Sequence, residues 1–147
     1  MRPTILALDL EGTLISNAIS QIPRPGLVAF MEFAHSTFSK IVLFTSVPQP
    51  IVADIAALLV QEGSAPAWFL NLPYIEWSGQ TKDLRFVSTR LGETLLLDDH
   101  ESYVHPGQLP FWVEAPLFAA PYPQDDIGLQ IAAQRIKERI VLGTTPS

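Results

Sequence analysis

Residues 6 to 15 read LALDLEGTLI. An apolar run ends in two acids, Asp9 and Glu11, followed at once by Gly12 and Thr13. Side chains at i and i+2 of an extended segment share a side, so both carboxylates are expected to face one spot at the end of a buried strand. Two such charges repel, and a cation beside them makes the arrangement tolerable. The chain must therefore bring further groups to the same place.

Around this stretch lie three apolar runs of one kind: TILALDL at 4 to 10, KIVLFTS at 40 to 46 and TLLLD at 94 to 98. Continuous apolarity, without alternation, predicts strands buried on both faces, hence an α/β fold of three layers, Rossmann-like, around a central parallel sheet. Between and after them, helical spacing recurs. Leu27, Phe30, Met31 and Ala34 form one stripe. A second helix is expected from Pro50 to Glu62, with proline in its first turn, Ile51, Ile55, Leu58 and Leu59 as its apolar face, and Gly63 as terminator. A last helix is expected from Asp125 to Val141, opened by acids, closed by Lys137 and Arg139, and carrying Ile127, Ile131, Ile136 and Ile140. Residues 64 to 81 and 103 to 124 have no clear period, although PFWVEAPLF in the latter suggests a further strand, and the tail GTTPS reads as frayed.

At 147 residues and 48% hydrophobic content the chain suits one core, so a single domain over 1 to 147 is expected. No apolar run approaches the roughly 20 residues that span a bilayer, and the N-terminus enters a strand pattern without a signal-like segment. A soluble, cytoplasmic protein with no membrane partner follows as the expectation. With zero cysteines, disulfides and thiolate ligands are excluded, which suits a reducing compartment. His35, His100 and His105 lack metal-ligand spacing. A net charge of −6 and scattered basic residues argue against nucleic acid as the partner.

In an open parallel sheet the carboxyl ends of the strands share one edge, where ligands bind. There the sequence places Asp9 and Glu11, then Thr45 and Ser46, then Asp98 and Asp99. An oxygen-rich set without thiolates is hard-cation chemistry, and Mg²⁺ is the usual choice where phosphate oxygens complete its shell.

These residues resemble the haloacid dehalogenase-like hydrolases, most of which are Mg²⁺-dependent phosphatases. DLEGTLI resembles the family's first motif, Thr45 in VLFTS its second, Lys82 in TKDL its third and LLLDDHESY its acidic fourth, in the same order along the chain. IPRPGLVAF, FTSVP, TKDL, LLLDD and PGQ are similar to the branch of carboxy-terminal-domain phosphatases and nuclear-envelope-interacting-factor-like proteins, over residues 4 to about 140. Where that branch has Asp, this chain has Glu11, whose carboxyl sits about 1.5 Å further from the backbone.

The resemblance implies an aspartyl phosphate formed on Asp9, with Glu11 moving the proton to the leaving oxygen and from the hydrolytic water. It implies Mg²⁺ held by Asp9, Asp98, Asp99 and Glu11, the last through its backbone carbonyl. Gly12, Thr13, Thr45, Ser46 and Lys82 would meet the phosphoryl group, with Lys82 offsetting the charge that grows during transfer. Arg24 is read as bracing its turn, and Trp68, Tyr74 and Trp77 as packing.

About 25 residues separate the first two strands and about 35 more precede Lys82, which leaves no room for a large cap. An open site suits an accessible phosphomonoester such as a phosphorylated side chain on a protein. A phosphatase-like scaffold without turnover is the alternative, with Glu11 as its support. A phosphotransferase shares the same residues. A receiver-like signalling domain is disfavoured, because Lys82 precedes Asp98 and Asp99 whereas receivers reach the lysine last.

Overall fold

The computed structural model describes residues 1–142, so the GTTPS tail lies outside the described residues. Four strands, β1 (Ile5–Leu8), β2 (Lys40–Leu43), β3 (Thr94–Asp98) and β4 (Trp112–Glu114), form one parallel sheet in the order β2-β1-β3-β4. Leu8 pairs with Leu43 on one side and with Leu97 on the other. The strand tips after these residues therefore lie side by side. The fold is α/β with a central parallel sheet, as the apolar runs predict, and β4 falls within the PFWVEAPLF segment.

The two faces of the sheet are covered differently. Leu6, Leu8, Ile41, Leu43, Leu95, Leu97 and Val113 belong to the larger core, together with the buried residues of α1 (Leu27–Thr37), α2 (Gln49–Gln61) and α3 (Gly128–Leu142). The alternate residues Ile5, Ala7, Val42, Phe44 and Leu96 meet Leu84, with Ile75, Trp77, Val87 and Phe111 packed beside them. Thus three helices cover one face. Ile75, Trp77 and two 3₁₀ turns, Leu84–Phe86 and Leu109–Phe111, cover the other, while Phe69, Leu72 and Tyr74 of the aromatic stretch pack on the helical side.

α1 buries the expected Leu27, Phe30, Met31 and Ala34. In α2 the buried face is rotated from the expected one: Val52, Ile55, Ala56 and Leu59 are inside, while Ile51 and Leu58 are 42% and 38% exposed. Beta-branched Val52 and small Ala56 fit under the Phe69 and Tyr74 segment, which runs back along the far edge of β2 through a parallel bridge between Leu43 and Tyr74. Spacing alone allowed either stripe.

α3 starts at Gly128, later than the expected Asp125, and its buried residues include Leu129, Ala132 and Ile136, with Ile127 exposed. Of the two acids expected to open it, Asp126 is used otherwise. Asp126 takes the Arg24 guanidinium, Nε at 2.7 Å and Nη2 at 3.3 Å, and its Oδ2 accepts from the Gly128 amide at 3.0 Å. Burial would raise the Asp126 carboxyl, but these donors outweigh it and hold it below the usual carboxylate range. A Cβ at Gly128 would overlap that buried guanidinium. Gly128→Ala is expected to lower the melting temperature by roughly 3–10 °C, through about 1–3 kcal/mol of overpacking. An unchanged melt would show that Arg24 can leave its place freely.

Candidate active site

Three strand tips set out the site. By the register, Asp9 follows Leu8 and Asp98 follows Leu97 on adjacent strands, and the Asp9 amide donates to Leu97 O at 3.0 Å. Both acids fall on the alternation that faces the irregular layer. That layer supplies Lys82. Its ammonium lies 2.9 Å from Asp9 Oδ1 and 2.6 Å from Asp98 Oδ2, with its side chain fully buried. The cation that the opening acids require is therefore, first of all, a side chain of this protein.

Lys82 is held in turn. Its amide donates to Tyr103 O at 2.6 Å, and the Tyr103 ring lies 4.6 Å from the ammonium, a cation–π distance. Just beyond, buried Gln108 accepts from the Leu84 amide at 2.9 Å and donates to Asp83 Oδ1 at 2.8 Å. The Lys82 segment is thus tied on two sides to the chain after β3. Burial alone would lower the lysine, but Asp9 and Asp98 outweigh it and raise it above its ordinary value.

The acids remain under-served. Asp98 has Lys82 on one oxygen and the His100 amide on the other at 3.0 Å. Asp9 has Lys82 and the Thr13 hydroxyl, whose Oγ1 is 2.8 Å from Asp9 Oδ2 and 3.1 Å from Asp99 Oδ1. A hydroxyl has one proton, so Thr13 can donate to one of these carboxylates at a time. Among the described residues Asp99 otherwise meets only the Asp9 carboxyl. Burial, reinforced by Asp98 and Asp99 against the opposing Lys82, raises Asp9 well above the usual carboxylate range, and burial also raises Asp98.

One ammonium cannot neutralise three carboxylates. Asp9, Asp98 and Asp99 each bring an oxygen within 4.8 Å of the others, a donor set that fits a hard divalent cation. Gly12 makes room for this cluster: its φ is +74°, and a Cβ there would stand 3.0 Å from Asp99 Oδ2 and from a Leu117 methyl.

Glu11 is held by the turn itself. After Asp9 the chain leaves the strand for a turn, and the Glu11 carboxylate accepts from the Ala18 amide at 2.7 Å. Glu11 is accordingly not one of the three acids whose oxygens cluster, and among the described residues its second oxygen takes no donor from the turn. Thr45 is buried at the tip of β2, where the Phe44 amide donates to Leu8 O at 2.8 Å. Its hydroxyl accepts from the Val47 amide at 3.1 Å, and exposed Ser46 follows it. The structure thus brings Asp9, Gly12, Thr13, Lys82, Asp98 and Asp99 into contact, with Thr45 and Ser46 at the neighbouring tip.

Several supporting residues carry no periodic signal. Arg24, buried, donates through Nη1 to Thr13 O at 3.1 Å and lies over the Phe118 ring, so it braces the turn that presents Thr13. Trp112 Nε1 donates to Asp98 O at 3.0 Å, and Trp77 Nε1 donates to Thr45 O at 2.8 Å. Gln108, in the PGQ string, could have been found by asking why a glutamine follows a turn glycine.

A tip cluster of carboxylates, a buried lysine and strand-end hydroxyls on a parallel sheet is the site plan of the haloacid dehalogenase-like class. Within it the chain belongs to the NLI interacting factor-like phosphatase family, whose model matches residues 4–125. Among solved structures, it is similar to that of a variant of the fission yeast RNA polymerase II CTD phosphatase Fcp1 bound to beryllium fluoride, with a TM-score of 0.56 and 14% identity. That match covers 95% of this chain and 50% of the other, so this chain spans about half its length. None of the curated proteins matches the sequence. Among the described residues no helix is long and apolar enough to cross a membrane.

Proposed function

We propose that this chain, acting as one domain, is a Mg²⁺-dependent phosphatase that hydrolyses an accessible phosphomonoester, such as a phosphorylated protein side chain, through an aspartyl phosphate. The observation that supports it most is Asp9, held at a strand tip by Lys82 and Thr13 with Asp98 and Asp99 beside it. Asp9, Asp98 and Asp99, with the Glu11 carbonyl, would hold the ion. Bound there, Mg²⁺ would offset the charge of an incoming phosphoryl group and so let an anionic nucleophile approach it.

An Asp9 oxygen attacks phosphorus and the ester P–O bond breaks. Glu11 gives its proton to the departing oxygen; its Oε2 takes the Ala18 amide, which leaves Oε1 for that proton. Water then attacks the aspartyl phosphate, Glu11 accepts a proton from it, and inorganic phosphate departs with Asp9 restored. Lys82 offsets negative charge on the phosphoryl oxygens, and Thr45 and Ser46 offer donors from the next strand tip. The short connections and family membership support an open site suited to a phosphoprotein, and the absence of cysteine suits the cytoplasm.

A second reading, phosphate binding without turnover, rests on Glu11, which is longer than the Asp of its branch and tied to the Ala18 amide. Hydrolysis of a generic aryl phosphate after chelation, then with Mg²⁺ restored, separates the two. Turnover is expected with the ion and not without it, accompanied by a stability gain of about 2.7 kcal/mol at a hundredfold excess over Kd. Chelator-insensitive hydrolysis would refute the metal assignment. Phosphate binding with inactivity across many phosphates would favour the scaffold.

A further inference from the structure

Beside Thr45 the surface opens into a cleft of about 280 Å³, lined by Thr45, Ser46, Tyr74, Glu76, Trp77 and Gly79. Pockets for whole small molecules run to about 300–1,000 Å³, so this one suits a single side chain. Its walls are fixed. The Tyr74 hydroxyl donates to Val47 O at 2.7 Å, and Trp77 donates to Thr45 O. The Trp77 ring also packs edge-on against Phe44 and Tyr103, with centroids 5.6 and 6.5 Å away. Since Tyr103 lies against the Lys82 ammonium, two aromatic side chains link the cleft to the cation that holds Asp9.

The cleft carries charge of one sign. Glu76 is its single acid and no basic residue lines it. Exposed Glu76 has no hydrogen-bond or ion-pair partner among the described residues, and its field reaches Tyr74, whose phenol is raised by burial first and by Glu76 second. Aromatic faces beside an unpaired carboxylate recognise a cation, whereas an anionic neighbour would meet repulsion from Glu76 and from a chain of net charge −6.

Building on the phosphatase reading above, we propose that this cleft is a specificity pocket for a lysine or arginine side chain adjacent to the phosphorylated residue of a protein substrate. The phosphate then sits at Asp9 while the basic side chain extends past Thr45 and Ser46 onto Trp77 and Glu76. Substrate choice is thereby set by a segment separate from the reacting groups.

The test compares kcat/KM on phosphoserine peptides that are identical except for Lys or Glu beside the phosphoserine, in one pair on its amino side and in another on its carboxyl side. The wild-type enzyme is expected to favour the lysine peptide in at least one pair by roughly fivefold or more. Glu76→Gln should bring that ratio toward one, and Glu76→Lys should reverse it. The ratio is read within each preparation, so a partly folded variant still reports. An aryl phosphate run on the same preparations distinguishes the failures. Aryl phosphate turnover with a wild-type ratio of one overturns the pocket and leaves the phosphatase standing, as does a lysine preference that Glu76→Lys does not change. No hydrolysis of any of these substrates overturns both.

Discussion

Asp9→Asn is expected to abolish aryl phosphate turnover, by a factor of at least about 10³, while leaving the protein no less stable. The loss follows because an amide oxygen is a poor nucleophile toward phosphorus. The retained stability follows from burial: folding raises the Asp9 carboxyl well above its ordinary value, so its ionised form is disfavoured in the metal-free protein. Because the folded form holds its proton to higher pH than the unfolded chain, this group's contribution to stability is present below the unfolded value and is lost as pH rises through the folded one. Near neutrality the neutral isostere removes that cost, and Lys82 keeps its 2.6 Å partner Asp98. Melting in chelator should therefore match or exceed wild type, with the pH slope diminished, whereas the stabilisation by Mg²⁺ should shrink. Undiminished hydrolysis by this variant would remove Asp9 from the chemistry.

Lys82→Met is expected to cost about 3–5 kcal/mol at neutral pH, because it leaves two buried carboxylates without their common partner. For a chain of this size that is a fall in melting temperature of roughly 6–20 °C. The wild-type lysine is raised by Asp9 and Asp98, so its stabilising charge is in place below its unfolded value and disappears only as pH rises through the still higher folded one. In the variant the orphaned acids should regain stability as the pH is lowered and they take up protons. Turnover should also fall, since no ammonium would face the phosphoryl oxygens. Melting curves for the two proteins that coincide at pH 7 would show that the acids do not depend on Lys82.

These expectations began with strand tips that could be read directly. The apolar runs identify β1, β2 and β3, and their polar ends place Asp9, Asp98 and Asp99 together because parallel strands share an edge. Lys82 was reachable through its place in a motif; its own surroundings gave no hint that it would be buried. What escaped the sequence depends on pairing across long separations. The start of α3 moved because Asp126 binds Arg24, 102 residues away, and the face of α2 turned because Tyr74 occupies the edge of β2.

The covering of the sheet's second face has an evolutionary consequence. Its irregular chain carries the ammonium that steadies the acids and also Trp77, which with Tyr74 walls the cleft beside the neighbouring strand tip, whereas the helices anchor the opposite face. Drift in this one ribbon could retarget the molecule without unsettling its scaffold. Homologous chains would then be expected to diverge fastest between residues 74 and 80, with Lys82 standing as a fixed post at the end of a changeable fence.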